Sequence, residues 1–278
     1  MSTPLPMTIG VVRYINTLPL IDGLSGLAGC TLVPDVPARL IDRLVSGTVD
    51  IALCSVIDVL RSPVPVRIVP VGMLGCCGRT LTVRLYARRP WAEVRTVAAD
   101  TDSHTSRALA ELVLRQRFAA QPTMVDFDHA SGARDPGTDA MLLIGDKVIN
   151  DAPANDMWPQ QLDLGEEWHA WTGLPFVFAT WLMRADADEA ACARVRTAAR
   201  VLDHQRRHNA ERIDGIIRRE AAAHGWPEEL ARHYLVDLLR FDFDEAARAG
   251  LARFLQECRK AGLAPAASDR AECADFTW

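Results

Sequence analysis

Small hydroxyl-bearing residues gather at two places where an apolar run gives way to an amphipathic one, and such groups suit the binding of a carboxylate. Ser103, Thr105 and Ser106 follow the short apolar run 96–99 and precede a helical stretch at 108–118. A helix start carries unpaired N–H groups and a partial positive charge. Hydroxyls added there make a carboxylate or phosphate site. From this segment alone, capping of the helix by Ser103 or Thr105 is the simpler role. Ser55 stands at a like junction after the run 49–53, where capping a short helix to about Arg61 and binding a ligand fit equally well. Asp146 follows the buried run 140–144; it either contacts a ligand or shapes a turn, and the turn is the simpler role. Phe176 and Phe178 open a strong apolar run. They wall a pocket or belong to the core, and core is the commoner place for such rings.

Metal and nucleotide chemistry find less support. His104, His129 and His169 lack the spacing of metal ligands. His204 and His208 stand four apart on a helical stretch, but the arginines around them fit a solvated face better. The seven cysteines, Cys30, Cys54, Cys76, Cys77, Cys192, Cys258 and Cys273, are odd in number and scattered, without a Cys-x-x-Cys pair. That argues against a disulfide framework and against zinc. They read as reduced, small core residues, with a nucleophile at the adjacent Cys76 and Cys77 as the minor alternative. Neither a Gly-x-Gly-x-x-Gly fingerprint nor a P-loop occurs, so a bound nucleotide is unsupported.

The elements that must position these groups follow a strand-helix-strand rhythm. Residues 8–12 read as a strand. Residues 38–45 show helical spacing of Leu40, Ile41, Leu44 and Val45, with Gly47 where a helix ends. The runs 49–53, 67–71 and 81–87 read as further strands, which predicts a mainly parallel sheet. A second unit is expected from about Pro90. It has strands at 96–99, 123–127 and 140–144, a Gly/Pro/Asp-rich loop at 130–138, irregular surface structure at 156–172 and a strand at 176–183. From Ala185 the chain is rich in Ala, Arg and Glu, with helical periodicity to about Gly262. This predicts about four helices and one extended link, then a loosely ordered tail from Ala264. Helices that return after a middle α/β unit predict a discontinuous layout: residues 1–88 with 184–278 as one lobe, and residues 89–183 as the other. Such a shape leaves a cleft at the strand ends, where open α/β sheets bind ligands.

The 278 residues suffice for two lobes with a sizeable core. The formal net charge of −5 gives no bulk attraction to nucleic acid or to an anionic membrane. Neither is expected as a partner, and an anionic ligand must be held by local donors. The start, Met1 to Pro6, lacks the basic and apolar regions of a secretory signal, and no apolar run is long enough to span a bilayer. The expected compartment is the cytoplasm.

Several stretches, in order, carry a resemblance. They are Arg13-Tyr14-Ile15-Asn16-Thr17-Leu18-Pro19, Ser46-Gly47-Thr48-Val49-Asp50-Ile51-Ala52, Ser103-His104-Thr105-Ser106, and Leu142-Leu143-Ile144-Gly145-Asp146-Lys147. The most distinctive is Asp163-Leu164-Gly165-Glu166-Glu167-Trp168 leading into Trp171-Thr172-Gly173-Leu174-Pro175-Phe176-Val177-Phe178-Ala179. Together they resemble the MqnA-type chorismate dehydratases of the futalosine route to menaquinone. The resemblance implies an α/β, two-lobed fold like that of type II periplasmic binding proteins, here with a C-terminal helical segment. It implies loss of water from chorismate to give 3-[(1-carboxyvinyl)oxy]benzoate, without a cofactor. It also implies a catalytic or substrate-orienting amide at Asn16. A serine of the family falls on Thr82, in Gly78-Arg79-Thr80-Leu81-Thr82-Val83, where threonine keeps the hydroxyl and adds a methyl. Ser55, Ser103, Thr105, Ser106, Asp146 and Phe176 complete the expected contacts to a small dianionic substrate. The competing reading is a cytoplasmic carboxylate-binding protein of the same fold without catalysis; turnover of chorismate separates the two. The sibling enzymes that make dihydroxynaphthoate have a different N-terminal pattern with a histidine base, which this chain lacks.

Overall fold

Buried apolar runs alternate with amphipathic helices through the first two thirds of the chain, and the runs pair into two sheets rather than one. The computed structural model describes residues 6–129 and 135–264. Along the chain come β1 (Met7–Val12), α1 (Leu18–Ile21), β2 (Cys30–Asp35), α2 (Pro37–Val45), β3 (Ile51–Ser55), α3 (Asp58–Arg61) and β4 (Val66–Cys76). Next are β5 (Val83–Ala87), β6 (Thr96–Asp100), α4 (His104–Phe118), β7 (Thr123–Phe127), β8 (Ala140–Ile144), α5 (Lys147–Asn150), β9 (Gln160–Asp163), α6 (Leu164–Thr172) and β10 (Phe176–Arg184). The last part holds α7 (Glu189–Glu211), α8 (Ile213–Glu220), α9 (Glu228–Arg232), a π-helical turn (His233–Leu238), β11 (Leu239–Arg240) and α10 (Glu245–Lys260).

The first lobe is built on the sheet β11-β4-β10-β3-β1-β2 and the second on β7-β6-β8-β5-β9. Both sheets are mixed, not mainly parallel. In the first, β1 is parallel to β2 and β3, but β10 is antiparallel to β3 and β4. In the second, β6 is parallel to β7 and β8, but β5 is antiparallel to β8 and β9. The cause is the double crossing between lobes. β1 and β3 end at the cleft, whereas β5 and β10 start there and so run the other way. These crossings also move the expected lobe boundaries. β5 belongs to the second sheet and β10 to the first, so the chain changes lobe at residues 77–82 and 173–175. Periodicity marks strands but not which sheet receives them.

Local packing explains the elements. α2 opens on Pro37 and buries Leu40, Ile41 and Leu44 on one face, each contributing about 2 kcal/mol relative to exposure. Residues 156–172, expected to be irregular, instead form β9 and α6, with Trp158 and Trp168 buried. The Asp163 carboxylate accepts the Gly165 and Glu166 N–H groups and so starts α6; Gly173 at φ +70° ends it. Trp168 meets Phe176 edge-on at 5.2 Å and Phe254 of α10 at 6.1 Å; such ring pairs are worth about 0.5–1.5 kcal/mol each. Its indole N–H donates to the Pro175 carbonyl. A Cβ on Gly250 would lie 2.1 Å from that same oxygen, so only glycine lets α10 seat against the second crossing. Ser55 does not cap α3, which starts after Ile57 without a side-chain cap. The expected loop at 130–138 lies partly outside the described residues, and the expected tail from Ala264 lies outside them after its first residue. No described helix is long and apolar enough to cross a membrane.

Candidate functional site

The sheet ends of both lobes face a cleft, and three long-range turns deliver its central side chains. After β1 the chain passes through Tyr14 into a 3-10 turn, Ile15–Thr17. Ile15 and Thr17 are buried there, leaving Asn16 on the cleft wall. The first crossing brings in Thr82. Its approach is fixed by Asp163, whose carboxylate accepts the Thr80 N–H at 2.9 Å and the Leu81 N–H at 2.7 Å, besides the two N–H groups of α6. Leu81 adopts φ +68°, a left-handed conformation that costs a residue with a side chain roughly 1–2 kcal/mol. The four hydrogen bonds to Asp163 offset that cost. The π-helical turn delivers Tyr234, whose ring stacks on Trp226 at 4.9 Å.

These three side chains meet. The Tyr234 hydroxyl lies 2.6 Å from Thr82 Oγ1 and accepts from Asn16 Nδ2 at 3.2 Å. Burial pushes the Tyr234 phenol well above its ordinary pKa, and the hydrogen bonds to Thr82 and Asn16 offset only part of that. It therefore stays neutral. Ser55, at the end of β3, is 1% exposed, and its hydroxyl has no hydrogen-bond partner among the described residues. Ser103 caps α4 by accepting the Ser106 N–H, and the two hydroxyls lie 3.0 Å apart. The fifteen-residue helix α4 thus aims its positive end at the cleft. Val12, Leu74, Ile144, Phe178 and Leu239 supply apolar walls. No described residue lining the cleft is charged. The cleft, counted out to open solvent, has a volume of some 500 Å³.

Charged groups lie outside this lining, some within the second lobe and some across the lobe junction. Tyr14 donates to Asp102 at 2.6 Å, and Lys147 bridges Asp100 and Asp102 at 2.5 and 2.8 Å. Burial pushes Asp100 up against the pull of Lys147. Burial also works to raise Asp102, but the hydrogen bonds from Lys147 and Tyr14 outweigh it and hold that carboxyl below its ordinary value. His104 pairs with Asp58 at 2.8 Å. Asp146 accepts the Trp226 indole N–H at 3.0 Å and pairs with His224 at 3.1 Å.

Of the expected contacts, Asn16, Thr82, Ser55, Ser103 and Ser106 line the cleft, and Thr105, Asp146 and Phe176 do not. Thr105 is fully buried and its hydroxyl oxygen accepts the Ile57 N–H at 3.3 Å, across the lobe junction. Asp146 is engaged with the C-terminal helices. Phe176 packs between Phe178 and Phe254, and it is Phe178 that reaches the cleft. Cys76 is buried, which pushes its thiol well above the ordinary range and suits a core role. Cys77 is exposed with Sγ 3.9 Å from the His169 ring. Two residues escaped the sequence reading. Asp163 carried a signal, an acidic cap with Glu166 three residues on. Tyr234 carried none: it is 218 positions from Asn16 and 152 from Thr82.

Comparison with known proteins agrees with this architecture. Residues 7–260 match the model of a family described as menaquinone biosynthesis. A chorismate dehydratase of Thermus thermophilus is 29% identical over 267 residues, covering 90% of this chain and 94% of that protein. Among solved structures, the alkanesulfonate-binding protein SsuA from Xanthomonas axonopodis pv. citri superposes with a TM-score of 0.67 at 15% identity, covering 95% of this chain and 96% of that one. A Candida albicans gene product with the generic periplasmic binding protein fold gives 0.64 at 13% identity, covering 93% and 90%. At such identities the two structures speak for the fold alone, and it is the two-lobed fold expected. The full span of the family match, from β1 to the end of α10, places the chain in the menaquinone biosynthesis family.

Proposed function

We propose that the protein is a chorismate dehydratase, converting chorismate to 3-[(1-carboxyvinyl)oxy]benzoate and water within the futalosine route, and that it acts in the cytoplasm. The observation that carries the reading is the match to a chorismate dehydratase along nine tenths of the chain. The uncharged, donor-rich cleft supports it. Chorismate has two carboxylates, and backbone N–H groups with hydroxyls at a helix start suit a carboxylate. Ser103 and Ser106 at the start of α4 would hold one carboxylate, and Asn16 and Thr82 would face the reacting edge of the ring.

The reaction breaks the C–H bond beside the carbinol carbon and the C–O bond of its hydroxyl. The C–H electron pair becomes the new ring π bond, and the proton and hydroxide leave as water. Aromatisation supplies the driving force, so the protein need only orient and stabilise. No carboxylate or imidazole among the described residues lines the cleft. The base assigned here is accordingly the substrate's own enolpyruvyl carboxylate, held in place by Asn16 and Thr82.

Incubation of the purified protein with chorismate, followed by chromatography of the product, tests this. The expected result is one aromatic dicarboxylate per chorismate consumed. Tight binding of chorismate with no product would replace the enzyme by a carboxylate-binding protein. Cell fractionation with immunodetection tests the compartment.

A further inference from the structure

We infer that Tyr234 is a positioning residue that directs its hydroxyl proton onto Thr82, so that the Thr82 hydroxyl is left to donate its own proton to a ligand oxygen. The inference rests on the proposed dehydratase reading for its substrate, and on hydrogen-bond inventory for its direction. An amide –NH₂ can only donate, so the Tyr234 oxygen is the acceptor in its 3.2 Å contact with Asn16. The 2.6 Å contact with Thr82 is open to either direction on distance alone. Chemistry decides it. A phenol is a stronger donor than an aliphatic alcohol, and accepting from Asn16 polarises its O–H bond further. A hydrogen-bond chain therefore runs from Asn16 to Tyr234 to Thr82.

Other bonds leave Thr82 little else to do. Its N–H donates to Thr80 and its carbonyl accepts from Gly145. Only its hydroxyl proton remains unassigned, and Thr82 lines the cleft. The tyrosine is held in turn by the Trp226 stack, with the indole N–H tied to Asp146. A π-helical turn supplies it, a distortion that recurs at functional sites.

A double-variant cycle and a spectroscopic measurement test the chain. Tyr234→Phe keeps the stacked ring and removes the hydroxyl. It should lower kcat/KM for chorismate about 10- to 100-fold, as should Thr82→Val. The double variant should be no more than about twofold slower than the slower single variant, because Tyr234 acts through Thr82. Thr82→Ser, which keeps the donor, should stay within about threefold of the parent. Losses that multiply, or full activity in Tyr234→Phe, would overturn the inference. Proton NMR of the unliganded parent protein gives a readout independent of turnover and of variant folding. A slowly exchanging tyrosine hydroxyl proton with a nuclear Overhauser contact to the Thr82 methyl supports the stated direction; a bonding proton that belongs to Thr82 refutes it. Should the parent fail to turn over chorismate, the functional reading falls, and the NMR result still decides the direction of the bond.

Discussion

The lining of the cleft and its surroundings use opposite kinds of polarity. Inside stand an amide, a phenol and hydroxyls, all neutral. Just outside stand ionic pairs, Lys147 with Asp100 and Asp102, His104 with Asp58, and His224 with Asp146, each within or between lobes. The difference separates two tasks. Neutral donors can hold a dianion without locking it as a buried ion pair would, and they stay in one protonation state across ordinary pH. Charges are better suited to fixing one lobe against the other, since a partnered buried ion is costly to strip of its partner.

The largest expected effect is at the neutral centre. Asn16→Ala should lower turnover by about 10²–10³-fold, the usual cost of removing one oriented donor at a reacting group. Thermal denaturation should show little change, because Asn16 is only half-buried. Undiminished turnover would remove the amide from the mechanism. Next is Asp163→Ala. It strands four N–H groups and frees the Leu81 turn, so denaturant unfolding should show a loss of roughly 2–4 kcal/mol together with slower turnover. A variant that loses stability alone would separate the turn from the site.

Asp146→Ala probes the outer set. It leaves the Trp226 indole N–H without its acceptor and should cost about 1–3 kcal/mol in unfolding free energy. A smaller effect follows from pH. The hydrogen bond to Asp146 raises the His224 pKa against the opposing effect of burial. A raised value means the folded state holds the proton more tightly. The resulting stabilisation is full below the unfolded value of about 6.5 and disappears as pH climbs through the higher folded value. The melting temperature should therefore fall more steeply above pH 6.5 in the parent than in His224→Gln; parallel curves would show that the pair contributes nothing. Smallest is Arg232→Ala. Its pair with Asp214 is more than half exposed on both sides, so unfolding should move by no more than about 0.5 kcal/mol.

Much of the fold could be read from local pattern, because period and punctuation are local properties. The β1 strand, α2 with its Leu40, Ile41 and Leu44 face, and the buried β8 run all stand where their spacing put them. Strand direction at β5 and β10 could not be read this way, because it depends on where the chain crosses between lobes. Likewise, Ser103 and Ser106 were legible as a helix start and Asn16 through resemblance. Tyr234 and the true surroundings of Thr105, Asp146 and Phe176 were not, since each depends on a partner far along the chain.

The double crossing has a consequence for how the protein is made. The second sheet is drawn from one continuous stretch, β5 to β9, and is complete by residue 163. The first sheet has β10 between β3 and β4, and so lacks its central strand until residue 184 has emerged. A chain growing from its N-terminus can thus close its second lobe first, while the earlier-made strands wait for their middle member. Half of the ligand cleft would then serve as the surface on which the other half is assembled.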